Sequence, residues 1–197
     1  MISPRAGFVL AGLALAILVP LALAATSPLL AWRQPVYIVA GFAGVVALGL
    51  MLLQPVLMTG VIPDLAPLRA RRLHRGLGAT LVAAVGVHVG GLWVTSPPDV
   101  IDALTLQSPT PFSLWGVLAM WAIFIIAALA ALRRRLHLRP RTWRLAHLSL
   151  ALVVVSGTVA HALLIEGTME TLSKAALCGL LVLATIAVIV GVRSRAQ

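Results

Sequence analysis

The sequence predicts an all-α fold, namely a polytopic membrane bundle of six transmembrane helices. Its 197 residues are 61% hydrophobic and 10% charged, with a mean hydropathy of +1.07, whereas soluble domains carry about 25% charged residues. Six apolar segments are each close to the roughly 20 residues that a spanning helix requires. They are unbroken runs without the alternation of barrel strands, which favours helices. We therefore exclude a water-soluble enzyme and predict one domain over residues 1–197.

The predicted spans follow one another with short connections. They cover about residues 7–29, 36–60, 73–95, 111–132, 144–165 and 172–192. Pro20 and Pro55 fall inside the first two spans and are expected to kink the helix or remove one backbone hydrogen bond. Arg5, the first apolar run and Ala22-Leu23-Ala24 also fit a cleaved signal peptide. That alternative leaves five spans with the same inner and outer loops. No internal repeat is evident in the sequence.

The connections between the spans differ sharply in charge. Arginines cluster in residues 62–75 and 133–144, and others flank the first and last spans. The opposite side carries Arg33, Lys174 and four acids, which are Asp99, Asp102, Glu166 and Glu170. The positive-inside rule then places both termini in the cytoplasm and the loop of residues 95–111 outside. The net charge of +10 is explained by contact with membrane lipid, without nucleic acid, and predicts a multi-pass protein of the bacterial inner membrane.

Four histidines fall inside two of the predicted spans. His74 and His88 lie on the third, and His147 and His161 on the fifth, and the members of each pair are 14 positions apart. On a helix that spacing turns the two rings to within roughly 40° of each other, about 21 Å apart. Both spans run in the same direction, so His74 is level with His147 near the cytoplasm, and His88 with His161 near the outer face. An intramembrane imidazole is costly without a partner, and histidine is an axial ligand of haem iron.

Two facing imidazoles at each level fit a bis-histidine haem better than zinc, which requires three or four close ligands. The single cysteine, Cys178, excludes a Cys-x-x-Cys-His attachment, so two non-covalent b-type haems are predicted within residues 70–165. Small residues one turn inward from each histidine would let a flat macrocycle approach, although helix packing also favours them. These residues are Gly78, Ala84, Ala151 and Gly157. The fifth histidine, His137, lies in an arginine-rich loop and is predicted to be solvated.

The residues around the four histidines resemble the ferric reductase-like transmembrane domain. This family includes ferric reductases, the membrane part of NADPH oxidases and the haem subunit of the periplasmic methionine sulfoxide reductase system. The resemblance extends over about residues 40–190. It rests on His74-Arg75-Gly76-Leu77-Gly78 with His88 after it, and on Trp143-Arg144-Leu145-Ala146-His147 with His161 after it. It implies two b haems between two spans, with His74 and His147 as the inner iron ligands and His88 and His161 as the outer ones.

The resemblance implies electron transfer across the membrane, from a cytoplasmic flavoprotein or quinol donor to an acceptor on the outer side. A haem subunit that feeds a periplasmic methionine sulfoxide reductase is an alternative within the same family. Many members continue into a domain that binds FAD and a nicotinamide cofactor. Here residues 192–197 follow the last span and contain no Gly-rich nucleotide fingerprint. Flavin is therefore expected only on a partner chain, and the protein is interpreted as a membrane oxidoreductase subunit, not a complete NAD(P)H-dependent enzyme.

Arg75 and Arg144 each lie beside an inner histidine. We predict that they bind haem propionates, because guanidinium pairs well with carboxylate; the alternative is that they only set the topology. A small proton-coupled transporter is a further alternative, disfavoured because no intramembrane carboxylate accompanies the histidines. A scaffold subunit without a cofactor is disfavoured by the intact set of four histidines.

Overall fold

The computed structural model describes residues 3–194, with side chains described as far as residue 191. This part of the chain contains seven α-helices and no strand. The helices are α1 (Pro4–Ala25), α2 (Pro35–Thr59), α3 (Pro67–Thr95), α4 (Pro97–Leu104), α5 (Pro111–Leu132), α6 (Pro140–Leu164) and α7 (Thr171–Ser194). All except α4 are long and apolar enough to span a membrane. The all-α, six-span prediction is therefore confirmed, and the chain is a multi-pass membrane protein.

Proline begins every helix from α1 to α6, at the position where its missing N–H costs nothing. Pro67 and Pro140 start α3 and α6 several residues before the predicted spans. All four arginines assigned to the first inner loop therefore lie on the N-terminal turns of α3, and two of the six assigned to the second, Arg141 and Arg144, lie on α6. Arginine is a good helix former, and charge does not end a helix. The side chain of Arg193, and Arg195 altogether, lie outside the described residues.

The connection of residues 95–111, which was predicted as a loop that faces outward, contains the helix α4. This helix buries Val100 to 8% exposure against the bundle. Inside the membrane the two internal prolines, Pro20 in α1 and Pro55 in α2, interrupt neither helix. Only the backbone hydrogen bond that each proline ring removes is lost.

The bundle is built around two helix hairpins, each made of two helices that pack along their length. One joins α2 to α3 and the other joins α5 to α6, while α7 packs mainly on α2. A core of apolar side chains links α2 with α7, including Leu48, Leu52, Leu177 and Leu181, and Cys178 is buried there at 2% exposure. Many large apolar side chains on the outer surface stay exposed. Such a surface is stable in lipid and not in water.

Candidate functional site

The structure brings the four intramembrane histidines together in two pairs. The ring centroids of His74 and His147 are 6.0 Å apart, and those of His88 and His161 are 6.4 Å apart. The rings of each pair are steeply inclined, by 68° and 79° respectively. Because the N-terminal histidines of α3 and α6 meet each other, and the C-terminal ones do the same, the two helices run in the same direction. These are the pairs that the sequence predicts.

Each ring of the outer pair is held by a carbonyl of the other helix in its own hairpin. The Nδ1 of His88 lies 2.8 Å from the Ala40 carbonyl oxygen, and the Nδ1 of His161 lies 2.9 Å from the Phe112 carbonyl oxygen. A carbonyl only accepts, so Nδ1 carries the proton in both rings. The unprotonated Nε2 of each ring is then left as a ligand, which is the arrangement that metal-binding histidines commonly use.

A glycine lies one helical turn after each of these carbonyls, directly beneath the ring. A Cβ atom at Gly44 would lie 3.0 Å from the Nδ1 of His88, and one at Gly116 would lie 2.6 Å from the Nδ1 of His161. The two hairpins thus hold their outer histidines by the same device. Sequence reasoning missed both glycines, since it looked for small residues only on the helices that carry the histidines.

The inner pair is positioned differently on each side. The Nδ1 of His74 lies 3.3 Å from the backbone carbonyl of Gln54 and 2.9 Å from the side-chain amide of the same residue. An amide oxygen turned toward the ring accepts the Nδ1 proton, whereas an amide nitrogen there would force the proton onto Nε2. We assign the oxygen to this position, because the backbone carbonyl of Gln54 contacts the same Nδ1 and also requires a proton there.

Gln54 was missed by the sequence analysis. Its signal was the presence of a polar side chain inside an apolar span, where such groups usually mark an interhelical contact.

His147 is held by stacking instead of by a hydrogen bond. The indole of Trp143 lies over its ring, with centroids 5.3 Å apart and planes 30° apart. The guanidinium of Arg133 lies over the indole of Trp143, 5.3 Å from the centroid of that ring. The Nδ1 of His147 is buried and has no hydrogen-bond partner among the described residues. One buried polar atom of the inner pair is therefore left for a group that is not part of the chain.

The other predicted positions lie apart from the ring contacts. Arg75 and Arg144 are exposed beside the inner pair, and His137 is exposed in the loop between α5 and α6, as predicted. The interpretation of Gly157 as a ligand-facing position is wrong. A Cβ atom there would lie 2.9 Å from the Trp115 carbonyl oxygen, so Gly157 serves the close packing of α6 on α5.

A cavity of about 500 Å³ surrounds the outer histidine pair. Its lining comes from α2 to α6 and from the first turn of α7, and it includes Asp99, Asp102 and Lys174. Cavities of roughly 300–1,000 Å³ are the size that encloses a cofactor or another small molecule. Within the described residues, no three histidine, cysteine or acidic side chains cluster closely enough to bind a metal ion. Each level of the site offers two imidazoles.

A bundle of six spans with two stacked pairs of facing imidazoles belongs to the class of polytopic helical membrane proteins with buried histidine sites. Residues 40–158 match the family model described as the ferric reductase like transmembrane component. The match covers more than half of the chain, so the protein belongs to this family and acts in membrane electron transfer. No curated protein and no solved structure matches the chain significantly.

Proposed function

We propose that this protein carries electrons across the membrane by means of two b-type haems, one between His74 and His147 and one between His88 and His161. Transmembrane domains of its family generally bind haem. The main observation in support is that the two rings within each pair face each other, at nearly the same distance in both pairs. The helices that carry them run in the same direction. The iron of each bound haem would supply the one-electron redox change.

The geometry of the pairs fits this cofactor. Two imidazoles on opposite sides of one metal ion have centroids about 6 Å apart, since each metal–nitrogen bond is about 2 Å long. The observed distances are 6.0 and 6.4 Å. The carbonyls on Gln54, Ala40 and Phe112 hold three rings with Nδ1 protonated, so that Nε2 can face the metal.

The distribution of charge supports an orientation with both termini in the bacterial cytoplasm. The exposed arginines at the starts of α3 and α6 then face the cytoplasm, and the cavity around His88 and His161 lies toward the outer side. Arg75 and Arg144 would pair with propionates of the inner haem. The donor in this proposal is a separate cytoplasmic flavoprotein or a quinol, and the acceptor lies in the periplasm. A periplasmic methionine sulfoxide reductase is the alternative acceptor.

The visible spectrum of the purified protein tests the proposal. We expect a reduced b-type spectrum with about two haems per chain. His74→Ala should remove the inner haem and His88→Ala the outer one, each leaving about half of the total. The matched control is His137→Ala, because that ring is exposed in a loop and should leave the haem content unchanged. Full haem content in either intramembrane variant rejects that ligand assignment, and a colourless wild type from haem-replete cells would favour a transporter or a scaffold.

A further inference from the structure

Lys174 is a cation that the bundle encloses. It is the only lysine in the sequence and lies in the first turn of α7. Its side chain is only 6% exposed, and it is the one charged residue that is fully buried in the described part of the chain. The Nζ atom donates to the Ile165 carbonyl oxygen at 2.7 Å. An ammonium group has three N–H bonds, so this contact uses one of them and leaves two.

The described residues give this buried charge no counter-ion. In residues 3–191, no carboxylate lies within ion-pair distance of Lys174. Glu170, one turn earlier, is engaged elsewhere, because its two carboxylate oxygens accept from the backbone N–H groups of Leu172 and Ser173 at 2.6 and 2.8 Å. The start of α7 adds the positive end of a helix dipole at the same place. A buried charge without a partner is strongly destabilising, which points to an anion from outside the chain.

The choice of anion follows from the cavity that Lys174 lines. Lys174 lines the same cavity as His88 and His161, whereas the acids of that cavity, Asp99 and Asp102, are exposed at its outer end. Given the proposed function, on which this inference rests, we propose that Lys174 binds a propionate carboxylate of the outer haem. The contact would neutralise both charges at an ammonium group that is only 6% exposed.

Substitution of Lys174 tests this role through the reduction potentials of the purified full-length protein. In Lys174→Gln we expect the inner haem to titrate as in the wild type and the outer haem to titrate at a lower potential, since an unpaired propionate stabilises ferric iron. Lys174→Arg keeps the charge and should restore the potential. Arg33→Gln is the matched control, because it removes one positive charge from the same side of the protein at an exposed position. An unchanged outer potential in Lys174→Gln, or the same shift in Arg33→Gln, overturns the inference.

A second measurement does not depend on the folding of a variant. Haem-depleted wild-type protein is reconstituted with iron protoporphyrin IX or with its dimethyl ester, which carries no propionate charge. The ester should fill the outer site less completely than the inner one, because Lys174 is buried whereas Arg75 and Arg144 are exposed and stay solvated. Equal filling of the two sites by the ester overturns the inference. Failure of the wild type to bind either porphyrin refutes the proposed function itself.

Discussion

Replacing Gly116 by alanine adds a single methyl group beneath the ring of His161. The added carbon would lie 2.6 Å from the Nδ1 of that ring, which is closer than side-chain Cβ atoms approach other atoms in real structures, and 3.0 Å from its Cε1. The backbone of α5 is fixed by its packing on α6, so the ring is the part that moves. Its movement breaks the 2.9 Å hydrogen bond to the Phe112 carbonyl, which alone fixes its tautomer.

The cost can be estimated from the groups involved. A buried imidazole that loses its hydrogen bond costs about 1–3 kcal/mol, and holding the ring away from its preferred rotamer adds about 0.5–1.5 kcal/mol. The better helix propensity of alanine returns up to about 1 kcal/mol. The net loss is about 0.5–4.5 kcal/mol, which corresponds to an affinity of the outer site for haem that is about 2- to 2,000-fold weaker.

Haem titration of the depleted protein measures this effect, and two further glycines calibrate it. A Cβ atom at Gly44 would lie 3.0 Å from His88, so that ring needs to yield by only a few tenths of an ångström and Gly44→Ala should cost less than Gly116→Ala. Gly86 has no atom within 4 Å of an added Cβ, so Gly86→Ala serves as the control and should bind haem normally. The reasoning is refuted if Gly116→Ala binds outer haem as tightly as Gly86→Ala does.

Three further predictions concern the inner pair and the start of α7. Gln54→Glu should lower the potential of the inner haem and leave the outer one unchanged, because a carboxylate beside Nδ1 makes His74 a stronger donor; equal shifts of both haems in a redox titration would contradict this. Trp143→Leu should reduce inner haem occupancy, since His147 then loses the stacking that orients it; loss of the outer haem instead would show a general folding defect. The N–H groups of Ser173 and Leu172 hold the pKa of the Glu170 carboxyl below its usual value, so the stability that this carboxylate contributes is complete above the unfolded-state pKa and is lost as the pH falls through the lower folded-state pKa. Glu170→Gln should therefore lower the melting temperature at pH 7, and its difference from the wild type should vanish in acid; a difference that persists there would contradict the capping role.

The spans could be predicted because the bilayer imposes a length and an apolar composition that six segments satisfy. The N-terminal ends of α3 and α6 could not be predicted, since hydropathy falls where the arginines begin, whereas these helices start earlier, at Pro67 and Pro140. The short helix α4 was also missed, for a different reason. It is a short helix that lies on the bundle and does not cross it, so its pattern contains only a few apolar positions, such as Val100.

The histidine pairing could also be predicted, because a helix of known pitch fixes the relation between residues 14 apart. What holds the rings depends on the neighbouring helices, and periodicity within one helix does not contain that information. A comparison of the two hairpins would have shown it. His88 and His161 are 73 residues apart, and Gly44 and Gly116 are 72 apart. These nearly equal offsets show that the two hairpins share the same arrangement of glycine and histidine, although no internal repeat is evident in the sequence.

The arrangement of these contacts indicates how the site is assembled. The contacts that orient His74, His88 and His161 come from the other helix of the same hairpin, so the orientation of these rings does not depend on contacts between the hairpins. α3 packs mainly on α2 and α6 mainly on α5, and the imidazoles of the two hairpins meet between them. A ligand that joins the rings would therefore act as a cross-link between two prepared halves. Its binding energy would then stabilise the association of the hairpins more than the fold of either one.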